Sequence, residues 1–321
     1  MQKDNLYLYQ MNLQNLILVF GLSALLAPIT QKLFVGLKKL DLINQRSSHS
    51  VIATRTGGFS SFLSIFLISF FWYLNELEPY DFSLLVPISM MFIIGVYDDF
   101  YNANFKLKFF IQIIVAKMVI DQGFVIDNFY GVLGLDEIPR FAAQLFTIFV
   151  FLVIVNSINF IDGIDGLALT EVFKIIILFE FFHSGNSNLF ALGSLTLASL
   201  IPLYFYNFKS NHKVFLGDAG SLFLGTVIAI YTFYFLSPEY NLNFAFNKPL
   251  LSILILLFPL TDLLRVFIIR VKNKKSPFKP DNNHLHHIFL DKKFSHWKIS
   301  VILPFSFLFL SSLIGVLFNF L

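Results

Sequence analysis

The sequence predicts an all-α protein, a single 321-residue domain that crosses a membrane about ten times. Three observations lead there. Composition is the first: 56% of residues are hydrophobic and 13% charged, where a soluble domain carries about a quarter charged. The second is the recurrence of apolar runs long enough for a helix to cross a hydrocarbon layer of roughly 30 Å. Ten occur, at residues 13–34, 58–74, 82–96, 105–120, 141–158, 167–182, 189–206, 221–236, 250–269 and 299–320. The run 105–120 is the weakest, because Lys106, Lys108 and Lys117 must snorkel or face protein. Alternation of charge is the third. Segments 36–56, 97–108, 159–166, 207–219 and 270–298 hold four, two, no, two and eight Lys/Arg, and the opposite side holds only Lys3, Arg140 and Lys248. By the positive-inside rule the first set faces the cytoplasm and both termini face out.

The same composition narrows function. With no Cys, disulfides, thiolate metal sites and a Cys nucleophile are excluded. The net charge of +3 arises largely in the basic segments, where it sets topology, so the expected partner is the lipid bilayer and not nucleic acid. Residues 1–12 lack a basic n-region, so no cleavable signal peptide is expected.

In chain order, the first basic segment carries R-S-S-H-S and then Arg55, Gly57 and Gly58. Lys38 and Lys39 need no role beyond an anionic leaflet. Arg46, His49 and Arg55 are candidate substrate-binding residues, since guanidinium groups suit bidentate phosphate contacts. The second segment opens with G-V-Y-D-D-F, placing Asp98 and Asp99 directly after an apolar run. Adjacent carboxylates at a membrane face are unfavourable without a cation or proton, although a solvated helix end is the plainer alternative. Lys108, ten residues past Asp98, is a candidate phosphate partner.

The third segment reads N-S-I-N-F-I-D-G-I-D-G-L, residues 156–167, after fifteen residues without a charge. A carboxylate at mid-depth costs roughly 2.5–3.5 kcal/mol on insertion scales, so these acids sit at an interface or serve a function. Asn156, Asn159 and Asp162 can line one helical face, and Gly163 and Gly166 let the backbone leave the helix. In the fourth segment, F-L-G-D-A-G-S sets Asp218 between glycines, with Ser221 opening the next run. This is either an N-cap or a helix start suited to phosphate, with an Asp suited to a hard divalent cation. Asp262 and Arg265 are expected to pair with each other. The last segment holds S-P-F-K-P-D-N-N-H-L-H-H. His284, His286 and His287 lack the helical His pair with Glu of zinc proteases, so diphosphate binding or loop positioning is preferred to zinc.

In this order, and all on the side expected to be cytoplasmic, the motifs resemble those of the polyprenyl-phosphate N-acetylhexosamine-1-phosphate transferases. That family includes the undecaprenyl-phosphate GlcNAc-1-phosphate transferases and the phospho-MurNAc-pentapeptide translocase. The match runs from about Asp41 to His287. The resemblance implies an enzyme with its active site on the cytoplasmic face of a bacterial inner membrane. An oxygen of undecaprenyl phosphate would attack the β-phosphorus of a UDP-N-acetylhexosamine; UMP would leave, and a lipid-linked sugar would remain to start a cell-wall polymer or O-antigen. Such phosphoryl transfer needs charge neutralisation and positioning, hence Mg²⁺, for which Mn²⁺ can substitute.

By the same resemblance Asp218 ligates the metal with Asn159 beside it, and Asp165 and Phe215 fall at uracil-contacting positions. Asp98, Asp99 and Lys108 match the lipid-phosphate end, expected to be separate from Asp218 on the nucleotide side. Asp162, His284, His286 and His287 join the catalytic set. The His-rich segment is close to the GlcNAc version of the family, whereas R-S-S-H-S resembles enzymes taking UDP-6-deoxy-HexNAc, so GlcNAc is favoured with the 6-deoxy donor as alternative. A secondary transporter is the rival of a different class, but it would place polar groups at mid-membrane on broken helices. The oligomeric state is left open, with a homodimer as one option.

Overall fold

The computed structural model describes residues 2–39, 53–209, 212–243, 246–276 and 283–317. Along them run α1 (Gln2–Gly36), β1 (Ala53–Thr54), α2 (Gly57–Leu74), α3 (Leu85–Tyr101), α4 (Phe105–Asp121), α5 (Arg140–Ile161) and α6 (Leu167–Phe182). Then follow α7 (Phe190–Asn207), β2 (Lys213–Val214), α8 (Gly217–Leu236), α9 (Lys248–Ile255), α10 (Leu257–Lys272), α11 (Leu285–Asp291) and α12 (His296–Leu317). The protein is an all-α, multi-pass membrane protein whose only departure from helix, among the described residues, is a few short bridges and turns.

A helix that is apolar on every side has no face to offer water or a partner loop, so it belongs inside a bundle. The sequence of α8 is of this kind, with Asp218 its only charged residue, and every residue of it except Asp218 is buried. Around it stand α2, α3, α5, α6 and α9. Close approach depends on missing side chains. A Cβ on Gly58 would lie 2.2 Å from the Gly220 nitrogen, one on Gly95 2.5 Å from Ala219 Cα, and one on Gly225 2.9 Å from Val155 Cα. Backbone-to-backbone packing of this type replaces the hydrophobic drive that lipid does not supply.

All ten apolar runs are helical, but the expected count of ten spans is not what length and composition support. Seven helices are long and apolar enough to cross a membrane, and an eighth if α9 and α10, bent by 74°, form one broken span. The shortfall is α4 and α6. At 17 and 16 residues they measure roughly 25 Å, short of the hydrocarbon thickness. Charge adds to this: α4 carries Lys106, Lys108, Lys117 and Asp121, and α6 carries Glu171, Lys174 and Glu180. The chain satisfies part of that charge internally, since Lys174 Nζ donates to Glu171 Oε1 at 2.6 Å with both side chains buried.

Both helices nevertheless run from one end of the bundle to the other. Beyond α4, Gln122 Nε2 reaches the Ser83 carbonyl at 2.9 Å, and beyond α6, Ser184 N donates to the Asn241 carbonyl at 2.8 Å. Asn156 locks α5 to α4 through the buried Gln112, with Nδ2 to Oε1 at 2.9 Å.

At the other end of the bundle the described parts of the five segments expected to be cytoplasmic come together. β1 and β2 pair in parallel, Ala53 with Lys213 and Thr54 with Val214. The Phe215 amide then donates to the Thr54 carbonyl, and the Gly57 and Gly58 amides donate to the Phe215 and Leu216 carbonyls, each at 2.8 Å. This stitching carries Arg55 to the first turn of α8.

Candidate active site

The first amides of a helix lack intrahelical partners and must find others. In α8 they find Asp99. Its Oδ1 accepts from the Asp218 amide at 3.0 Å and its Oδ2 from the Ala219 amide at 2.9 Å. Gly217, at φ +76°, makes the turn; a Cβ there would be strained and would lie 2.8 Å from Asp99 Oδ2. With its side chain only 1% exposed, Asp99 is a capping group delivered from the end of α3.

The Asp218 side chain faces outward from that cap into a charged cluster. Its Oδ1 accepts from Asn159 Nδ2 at 2.7 Å and lies 3.2 Å from Lys108 Nζ, and Asn159 Nδ2 is also 2.8 Å from Ser221 Oγ. Arg55 Nη1 stands 3.7 Å from Asp218 Oδ2 and 3.5 Å from Asp99 Oδ1. Lys108, from the first turn of α4, also donates to Asp98 Oδ2 at 2.6 Å, while Asp98 Oδ1 closes the turn after α3 by accepting from the Ala103 amide at 2.6 Å. The expected division between a lipid-phosphate end and a nucleotide end does not match this geometry. One ammonium group bridges Asp98 and Asp218, because α4 enters the bundle between α3 and α5.

Asp162 ends α5 beside this cluster and is half-buried. Burial raises its carboxyl well above the usual carboxylate range, and the negative charges of Asp218 and Asp99 raise it further against the opposing Arg55. Four carboxylates thus crowd against two cations, Lys108 and Arg55. That donor set suits a hard divalent cation. Among the described residues no three His, Asp or Glu side chains form a protein cage for a metal. Mg²⁺ does not require one, since it keeps several waters and binds through one or two carboxylates plus substrate phosphates.

Three residues on, Asp165 meets different surroundings. Its Oδ2 accepts from Lys213 Nζ and lies 2.8 Å from His296 Nδ1, and its Oδ1 is buried without a partner. Burial pushes its carboxyl up, but the hydrogen bonds and charges of His296 and Lys213 outweigh this and hold it below the ordinary carboxylate value. The neighbouring backbone is pinned as well. Ser300 Oγ donates to the Asp165 carbonyl, the Gly166 amide to Asn207 Oδ1 at 2.6 Å, and Asn207 Nδ2 to the Val214 carbonyl at 2.9 Å. The sequence singled out neither Lys213 nor His296, which are 48 and 131 residues from Asp165. The one available signal was that Lys213 stands two residues before Phe215, which is half-buried between β2 and α8.

The histidine segment docks on the same end. Asp262 does not pair with Arg265 as expected: its Oδ2 lies 2.8 Å from His284 Nδ1 and its Oδ1 accepts from the Leu285 amide at 2.8 Å. Arg265 instead donates to the Asn283 carbonyl. Asp262 is thus the cap that starts α11, a role that three-residue spacing on α10 could not reveal. His286 packs its ring on Gly163, where a Cβ would lie 2.2 Å from Nε2. Both its ring nitrogens are buried without a partner, and burial, aided by the neighbouring histidines, holds its pKa well below the usual value. His287 lies beside it, ring centroids 4.3 Å apart. Arg46 and His49 lie outside the described residues.

The family model for Glycosyl transferase family 4 matches residues 82–236, which span Asp98 to the end of α8. A Bacillus subtilis protein named "Probable undecaprenyl-phosphate N-acetylglucosaminyl 1-phosphate transferase" is 30% identical over 304 residues, covering 92% of this chain and 79% of its own. A Haemophilus influenzae undecaprenyl-phosphate alpha-N-acetylglucosaminyl 1-phosphate transferase is 30% identical over 270 residues, 79% of this chain and 72% of its own. The protein of that name from Thermotoga maritima is 27% identical over 291 residues, 90% and 86% respectively. With such similarity along most of both chains, this protein belongs to glycosyl transferase family 4, the polyprenyl-phosphate N-acetylhexosamine-1-phosphate transferases, and is an enzyme of that family.

Proposed function

We propose that the protein transfers N-acetylglucosamine 1-phosphate from UDP-N-acetylglucosamine to undecaprenyl phosphate, releasing UMP, at the cytoplasmic face of a bacterial inner membrane. The observation that carries this reading is the convergence of Asp218, Asn159, Lys108 and Arg55 on the first turn of α8, at the basic end of a membrane bundle. A diphosphate brings negative charge to a helix start, where the helix dipole and the two cations favour it, although Asp99 already takes the Asp218 and Ala219 amides. Lys108 and Arg55, held against carboxylates without substrate, are close enough to turn toward phosphate oxygens. Asp218, with Asn159 alongside, would hold Mg²⁺ or Mn²⁺, which when bound neutralises charge on the transferring group.

An oxygen of the lipid phosphate would form the new bond to the β-phosphorus as the bond to UMP breaks. That nucleophile is already ionised near neutral pH, so the reaction asks for positioning more than for a base. Asp98, tied to Lys108, sets that ammonium at the membrane side of the cluster. Asp165 and Phe215 would receive the uracil, and His286, packed over Gly163, would hold the Asp162–Asp165 turn beneath the substrate.

The test is purified protein with undecaprenyl phosphate, Mg²⁺ and either UDP-GlcNAc or a UDP-6-deoxy-HexNAc, following UMP by chromatography and the lipid by mass. UMP in step with a GlcNAc-diphosphate lipid is expected. Faster turnover of the 6-deoxy donor would change the sugar, and no turnover with either donor would overturn the reading. For the facing, Tyr101→Cys in this Cys-free chain should be shielded from an impermeant thiol reagent outside intact cells. Labelling from outside would invert the topology.

A further inference from the structure

We propose that Lys213 and His296 are positioning residues that hold Asp165 as a one-sided acceptor and so set the enzyme's preference for uracil over cytosine. This rests on the reading above that Asp165 faces the nucleobase. The two residues arrive from separate elements, Lys213 on β2 and His296 at the start of α12, and both bind the same oxygen, Oδ2. The backbone on either side of the carboxylate is held independently, the Asp165 carbonyl by Ser300 and the Gly166 amide by Asn207. On the carboxylate itself, Oδ1 is buried with no donor among the described residues. An unpaired buried acceptor costs free energy, which a ligand N–H on Oδ1 would recover.

What fits a fixed anionic oxygen is a ligand N–H. Uracil carries a hydrogen on N3, whereas cytosine carries a lone pair there, which a carboxylate repels. Without Lys213 or His296 the carboxyl group can rotate, present either oxygen, or turn to other donors, and the distinction between the two bases weakens. A fixed acceptor discriminates strongly because the wrong base leaves it unpaired.

The experiment is calorimetric binding of UMP and of CMP, with Mg²⁺, to the purified full-length protein, with melting temperature and inorganic pyrophosphate affinity as controls. His296→Ala and Lys213→Met should each lower the UMP-to-CMP affinity ratio about tenfold or more, chiefly by weakening UMP, with pyrophosphate affinity unchanged. His296→Gln and Lys213→Gln, which keep a donor, should retain more of the ratio and serve where the first pair does not fold. Equal weakening of UMP and CMP, in step with a lower melting temperature, would overturn the proposal in favour of a structural latch. Asp165→Ala separates the two levels of inference. If it collapses the ratio while the Lys213 and His296 variants keep it, only the positioning role fails. If Asp165→Ala itself leaves the ratio intact, the nucleobase reading of Asp165 fails with it.

Discussion

Asp162 and Asp165 sit three residues apart in one glycine-rich turn, and their surroundings push them in opposite directions. Around Asp162, burial and the negative charges of Asp218 and Asp99 raise the carboxyl's pKa. Asp165 faces Lys213 and His296, and it stays ionised despite burial. The first environment is short of positive charge; the second has its charge balanced and one oxygen left over. The repeated D-G spacing is the same on both sides, so the difference comes entirely from which distant segments fold against each acid. On the function proposed above, the turn would join two half-sites, one completed by a cation and phosphates, the other by a base.

The sharpest way to break the contrast is to remove charge from the cation-seeking side. Asp218→Asn preserves shape and the Asn159 contact geometry but not the anion, and turnover should fall by about 10²–10³-fold or more. Steady-state UMP release at saturating donor measures it, with an unchanged melting temperature as control. Near-normal turnover would mean that the crowded carboxylates are not the reaction centre.

On the balanced side, Asp165→Ala should weaken competitive inhibition by UMP by about 10²-fold while leaving the Mg²⁺ requirement unchanged. A shift in Mg²⁺ dependence instead would merge the two half-sites into one.

A subtler test compares protons. A divalent cation bound near Asp162 lowers that group's raised pKa, so binding releases protons and Mg²⁺ affinity should rise with pH. The rise is at most about tenfold per pH unit for one proton. Calorimetry in buffers of different ionisation enthalpy reads the release, and Asp162→Asn should abolish it. Binding of uridine, which carries no phosphate to titrate, should gain no slope from Asp165 between about pH 5.5 and 8, because His296 and Lys213 hold that carboxyl below its ordinary value.

The smallest effect is expected where the turn meets His286. Gly163→Ala places a methyl against the imidazole, and overpacking of this kind costs about 1–3 kcal/mol. Thermal unfolding should show that loss, with UMP affinity changed less than stability. Full stability in Gly163→Ala would mean that the histidine segment yields easily and does not brace the turn.

Much of this molecule is legible without coordinates. Apolar runs of helical length, few charges and one-sided basic segments are properties of short windows; nine of the ten runs became single helices and 250–269 became the bent pair α9 and α10. The motifs also marked Asn159, Asp165 and Asp218, all of which lie at one end of the bundle. The span count was less legible, because α4 and α6 are helices of nearly sufficient length whose charges are answered inside the protein.

Only the tertiary structure decided what each acid faces. Asp99 became a cap for α8 and Asp262 a cap for α11, Asn156 an interhelical lock, and Lys108 a bridge between two acids expected to be apart. Lys213 and His296 joined Asp165 from 48 and 131 residues away. The physical reason is range. Periodicity and hydropathy act over a helical turn or a membrane thickness, and the residues themselves carry that information. Hydrogen bonds and ion pairs act over about 3 Å in space, and which groups come that close depends on glycine contacts that set how deeply α2, α3 and α5 pack onto α8.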